Sequence, residues 1–138
     1  MPRKTDSSNP ADWLLIVESD MEALRAMIEQ ELGYNLCRSK LAEALEKTIK
    51  AELIRTGWFL EKTHDLARLH DIMVVRGCDL AALASPVCAE LAQAYFSDRY
   101  PGFDLDPPNW PKLREQLWQI EALLATVKAR VAPASPAQ

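Results

Sequence analysis

Apolar residues recur at steps of three and four along nearly the whole chain, the spacing that places them on one face of a helix. In a first helix they are Trp13, Ile16, Val17, Met21, Leu24, Met27 and Ile28, with Asn9 as cap, Pro10 in the first turn and Gly33 as stop. A second helix is predicted from about Leu36 to Arg55, ended by Gly57, with Leu41, Leu45, Ile49 and Leu53 spaced four apart. On its polar side, Glu43 with Lys47 and Glu46 with Lys50 are i,i+4 pairs in the favourable order. Thr63 is placed to cap a third helix that buries Leu66, Leu69, Ile72 and Met73 and stops at Gly77. A short connecting helix is expected around Leu80. Ser85-Pro86 then reads as a new start, for a helix that carries Val87, Leu91, Ala94 and Tyr95 and ends before Arg99. Prolines 101, 107, 108 and 111 make a stiff loop. In a last helix, from Pro111 to Arg130, residues Leu113, Leu117, Ile120, Leu124, Val127 and Val131 form a heptad-like seam that must pack on something.

No segment alternates with the two-residue period of a strand. The expected fold is therefore all-α: an up-and-down antiparallel bundle of four long helices plus the short connecting helix, since short connections favour antiparallel neighbours. The domain is expected over residues 10–131, with 1–9 a flexible N-terminus and 132–138, rich in proline, alanine and serine, a disordered tail.

Composition narrows the class. The 138 residues are 49% hydrophobic and 26% charged, which suits one globular domain and excludes collagen, a disordered chain and a disulfide-stapled miniprotein. Three cysteines, Cys37, Cys78 and Cys88, with no CxxC spacing oppose a disulfide framework or zinc knuckle, and Cys37 and Cys88 read as small buried hydrophobes. The apolar run from Trp13 to Val17 is too short for a signal-peptide core or a membrane span, so a cytoplasmic protein with no membrane partner is expected. The net charge of −4 disfavours an overall basic nucleic-acid binder. Yet residues 36–70 carry seven basic groups against five acidic, through Arg38, Lys40, Lys47, Lys50, Arg55, Lys62 and Arg68. Such an excess serves either a solvated face or a phosphate-contacting surface.

Few residues offer chemistry. His64 and His70 are six apart and point to different faces of one helix, so no metal site is expected. There is no GxGxxG, Walker loop, HExxH or GxSxG, and no cofactor is expected. His64 is a candidate general base at the start of a helix. Arg99 and Tyr100 close a helix ahead of the proline-rich loop; the guanidinium could clamp a phosphate and the ring could stack on a base. Lys47 and Lys50 with Glu46 make the most polar cluster of the second helix, and Lys47, Lys50, Arg99 and Tyr100 are the candidate ligand-binding residues. The apolar turn Trp58-Phe59-Leu60 is either tucked under the bundle or covered by a partner.

Three segments, in order, resemble HEPN domains (higher eukaryotes and prokaryotes nucleotide-binding). Ser39-Lys40-Leu41-Ala42-Glu43-Ala44-Leu45-Glu46-Lys47-Thr48-Ile49-Lys50-Ala51-Glu52-Leu53 is similar to the family's second-helix pattern, roughly Q-A-x-E-K-x-x-K-A-x-L. Lys62-Thr63-His64-Asp65-Leu66 is similar to its K-T-H-D-L, and Arg99-Tyr100-Pro101 to its R-Y-P. The resemblance covers about residues 11–104. It implies a helical bundle, a homodimer and a small prokaryotic protein, in many cases paired with a minimal nucleotidyltransferase as toxin and antitoxin. Ribonuclease members carry an R-x4–6-H motif, and no arginine of this chain has a histidine at that spacing. The implied function is thus a non-catalytic module for a nucleotide, RNA or a nucleotidyltransferase partner. The alternatives are an atypical metal-independent ribonuclease using His64 or Arg99, and a structural dimer or adaptor that uses the last helix's seam as its interface.

Overall fold

The computed structural model describes residues 3–103 and 106–131. It is all-helical there: α1 (Pro10–Glu29), α2 (Tyr34–Arg55), α3 (Leu66–Val75), α4 (Ala81–Leu91), α5 (Ala94–Ser97) and α6 (Trp110–Arg130). The tail 132–138 lies outside the described residues. None of these helices is long and apolar enough to cross a membrane.

The middle of the bundle is α2. Fourteen of its 22 residues are buried, and α1, α3, α4, α5 and α6 all pack on it. The expected stripe Leu41, Leu45, Ile49 and Leu53 is fully buried, joined by Val17, Met21 and Ile28 of α1 and Leu69 and Met73 of α3. The α6 seam closes on the same core. Leu113, Ile120, Leu124 and Val127 are buried against α2, α1 and α4, so this seam serves the chain itself and is not available as an interface between copies. Cys37 and Cys88 are buried as expected, and burial pushes the Cys88 thiol up to about 12.

Several local expectations are corrected. Gly33 does not stop α1. The stop is a Schellman turn on Glu31 (φ 55°), with Glu31 N–H donating to the Ile28 carbonyl and Leu32 N–H to that of Met27; Gly33 (φ 63°) instead starts α2. Asp65, not Thr63, caps α3, because its carboxylate accepts from the amides of Ala67 and Arg68. The helices expected around Leu80 and from Ser85 are one element, α4, with Pro86 inside it. Burial of Ala84, Val87, Cys88 and Leu91 along that helix outweighs the one backbone bond that proline forfeits. The chain then breaks and re-forms as the single turn α5, which carries Tyr95. Residues 3–9 contact α1: Arg3 pairs with the buried Asp12, whose carboxylate also accepts from Asp6 N–H, and the Trp13 indole donates to the Ser7 carbonyl. In the turn left open above, Trp58 packs on the core and Phe59 stands 93% exposed.

Candidate functional site

One flank of α2 buries polar groups. Ser39, Glu43, Glu46 and Lys50 follow each other at steps of four, three and four, which aligns them along one side of a helix, and all four are buried. Each is satisfied by a residue distant in sequence. Glu46 accepts from the Lys50 ammonium at 2.8 Å and from His64 Nδ1 at 3.0 Å, and Lys50 donates a second bond to the Thr63 carbonyl at 2.7 Å. Glu43 pairs with Arg99 and with Lys40, and Arg99 Nε donates to the Ser39 hydroxyl at 3.0 Å. Of the two i,i+4 pairs expected on this helix, Glu46–Lys50 therefore forms, whereas Glu43 turns to Arg99 and Lys40 and leaves Lys47 without an ion pair among the described residues.

The Tyr95 ring joins the two halves of this flank. His64 stacks on it with centroids 4.4 Å apart and planes 8° from parallel, and the Arg99 guanidinium carbon lies 4.3 Å from its centroid. Burial pushes the Tyr95 phenol up, with the charges of Tyr100 and Glu46 adding to the effect. Because a carboxylate only accepts, His64 Nδ1 donates to Glu46, and in the neutral ring the lone pair is then on Nε2. The His64 side chain is half exposed, so the imidazole is held in one orientation by Glu46 and reaches solvent, on the same Tyr95 ring that the Arg99 guanidinium contacts. Such a group can accept a proton or bind a polar ligand.

The structure thus brings His64, Lys50 and Arg99 together and leaves Lys47 and Tyr100 on the adjoining surface. Lys50, expected on a binding surface, is buried and internally paired. Sequence reasoning missed Tyr95 as a site residue and Glu43 as the partner of Arg99. The Tyr95–Arg99 spacing of four and the 4-3-4 polar series on α2 were the available signals. His70 has a structural place: its Nε2 bonds the Ala81 carbonyl and ties α3 to α4.

A second polar cluster closes the far end of α2. Glu52, Cys78 and Asp79 bring possible metal-ligand atoms within 4.8 Å of one another. Both carboxylates are already occupied, however: Arg55 and Arg130 donate to Glu52, and Arg130 grips Asp79 with two bonds. Burial pushes the Cys78 thiol up, away from the thiolate a metal would need. These residues are a guanidinium–carboxylate clamp.

Compared with known families, residues 11–129 match the model described as HEPN domain. No curated protein and no solved structure matches the chain.

Proposed function

The chain belongs to the HEPN domain family, and on that premise we propose that the flank of α2 around Tyr95 binds a nucleotide or the phosphates of an RNA without cleaving it. The observation that carries this reading is the meeting of His64, Arg99 and the α2 polar series on one aromatic ring. Charge bookkeeping within the cluster sets the roles. Lys50 is matched by Glu46, while Arg99 and Lys40 share the single Glu43 carboxylate, so attraction for phosphate comes from that unmatched charge and from Lys47. Arg99 becomes a phosphate ligand where an incoming anion competes with Glu43. Tyr100, 55% exposed, offers a ring for a base.

The test is a mobility-shift panel of RNA and nucleotides at two salt concentrations. Lys47→Glu and Arg99→Gln should each weaken binding by about tenfold, and the slope of log affinity on log salt should fall by about one per lost phosphate contact. Binding that ignores salt and both substitutions would sink the reading and leave an adaptor role.

A second reading, an atypical metal-independent ribonuclease, is favoured by one observation: the His64 ring is half exposed while Glu46 orients it through Nδ1. The missing R-x4–6-H spacing supports the non-catalytic form. RNA cleavage that disappears in His64→Ala, with binding retained, would replace the first reading by the second. The working form in either case is a homodimer with a minimal nucleotidyltransferase as partner, to be checked by light scattering and co-purification.

A further inference from the structure

A second cavity lies away from Tyr95. It measures about 480 Å3 and opens between the first turns of α2 and α6, the end of α4 and the 106–108 segment. That volume is within the range of small-molecule sites. Its wall is part aromatic through Tyr34, which is backed edge-on by Trp110 at 5.3 Å, and Pro107 and Pro108 continue the apolar surface.

Arg38 is the feature that turns this space into a site. Its side chain is only 15% exposed, and its guanidinium stands 3.6 Å from Asp98 and 3.8 Å from Asp106, beyond hydrogen-bond reach. Among the described residues it donates no hydrogen bond, although a guanidinium has five N–H donors in a rigid fork. Asp98, fully buried behind it with one carboxylate oxygen unpartnered among the described residues, faces the positive charge without using those donors. Gln116, also in the lining, is 5% exposed, and its one hydrogen-bond partner among the described residues is Glu90 at 3.5 Å. Lys112 adds a second cation, anchored on Glu90 at 2.5 Å.

The geometry points to a binding site for a small organic anion. One carboxylate or phosphate group sits on the Arg38 fork, Gln116 supplies a further hydrogen bond, and an apolar or aromatic body lies against Tyr34 and the proline wall. The charge order sets the size of the ligand. The deep end carries two cations, Arg38 and Lys112, each faced by one carboxylate, Asp98 or Glu90, while Asp106, 79% exposed, makes the rim negative. A polyanion would carry its further phosphates past that carboxylate, whereas a compact singly anchored ligand would not.

Phenyl phosphate, benzoate and neutral benzyl alcohol are the probes, followed by the Trp110 indole N–H and the first-turn amides of α2 in nitrogen–proton correlation spectra. Saturation by phenyl phosphate or by benzoate, and not by benzyl alcohol, is the expected result, and the stronger of the two identifies the anionic group. Arg38→Gln should weaken that binding by about tenfold. Asp106→Asn, on the exposed rim, should tighten it severalfold, and Lys47→Glu should leave it unchanged, which separates this site from the one on α2. If Arg38→Gln loses its dispersed spectrum, Lys112→Gln takes its place and should also weaken binding. Affinity weaker than about 10 mM for both anions, equal binding of benzyl alcohol, or looser binding in Asp106→Asn would each overturn the proposal.

Discussion

Lys50 and Lys47 show how neighbouring lysines on one helix take different work. The Lys50 ammonium sits between the Glu46 carboxylate and the Thr63 carbonyl, with both partners of the ion pair 4% exposed. Lys47, three positions earlier, is partly exposed and has no ion pair among the described residues. Removing one member of a buried pair strands the other charge in a dry site, a cost of about 3–5 kcal/mol. Lys50→Ala should therefore lower the urea midpoint strongly with an unchanged slope, while Lys47→Ala should shift stability by less than about 0.5 kcal/mol. Equal effects would mean that the Glu46–Lys50 pair is solvated. His64 depends on the same carboxylate, so the residue that orients the candidate base is also one the fold cannot easily give up.

At the scale of elements, the junction of α1 with α2 carries identifiable strain. Glu31 holds the left-handed position that closes the Schellman turn, a conformation that costs a residue with a Cβ roughly 1–2 kcal/mol. Its side chain recovers part of this through an ion pair with Arg114, both groups being well exposed. Exposed pairs contribute about 0–1 kcal/mol, so the backbone effect wins. Glu31→Gly is expected to stabilise the protein by about 0.5–1 kcal/mol, read as a rise in melting temperature. A fall would show that the Arg114 contact is worth more than the strain. The same trade between local cost and packing explains α4, which continues through Pro86 because its apolar face has a core to meet.

For the whole molecule, the clamp of Glu52, Arg55, Arg130 and Asp79 joins the end of α2 to the end of α6 and the α3–α4 connection. Burial pushes the Glu52 carboxyl up, but hydrogen bonds and charge from Arg55 and Arg130 outweigh it and hold the group below its ordinary value of 4.5. A carboxyl with a depressed folded pKa contributes stability above its unfolded value and loses it as pH falls through the folded one. Glu52→Gln should thus cost about 2 kcal/mol at neutral pH, and the gap to wild type should narrow as pH drops below about 4.5. Urea titrations at both pH values check it; a gap independent of pH would place the stabilisation in packing. Asp98 works in the opposite sense. Burial raises its carboxyl, Arg38 only partly offsetting it, so its charged form opposes folding above the ordinary carboxylate value and acid relieves that cost.

The helices were legible because a helix is a local object. The three- and four-residue rhythm of Leu41, Leu45, Ile49 and Leu53, the cap Asn9 and the stops at Gly57 and Gly77 depend on neighbours a few positions away. The K-T-H-D-L and R-Y-P resemblances likewise placed His64 and Arg99 among the candidates. Sequence alone did not separate Lys50 from Lys47, since both are lysines on one helix flank, nor did it find Tyr95, which reads as one more apolar helix position. It was also silent on the Arg38 cavity, whose walls come from three helices and a loop. Those outcomes depend on which polar faces meet across tens of residues of chain. Periodicity assigns each residue to a side of its own helix; burial, the pairing of charges and the room left between elements are properties of the packed bundle.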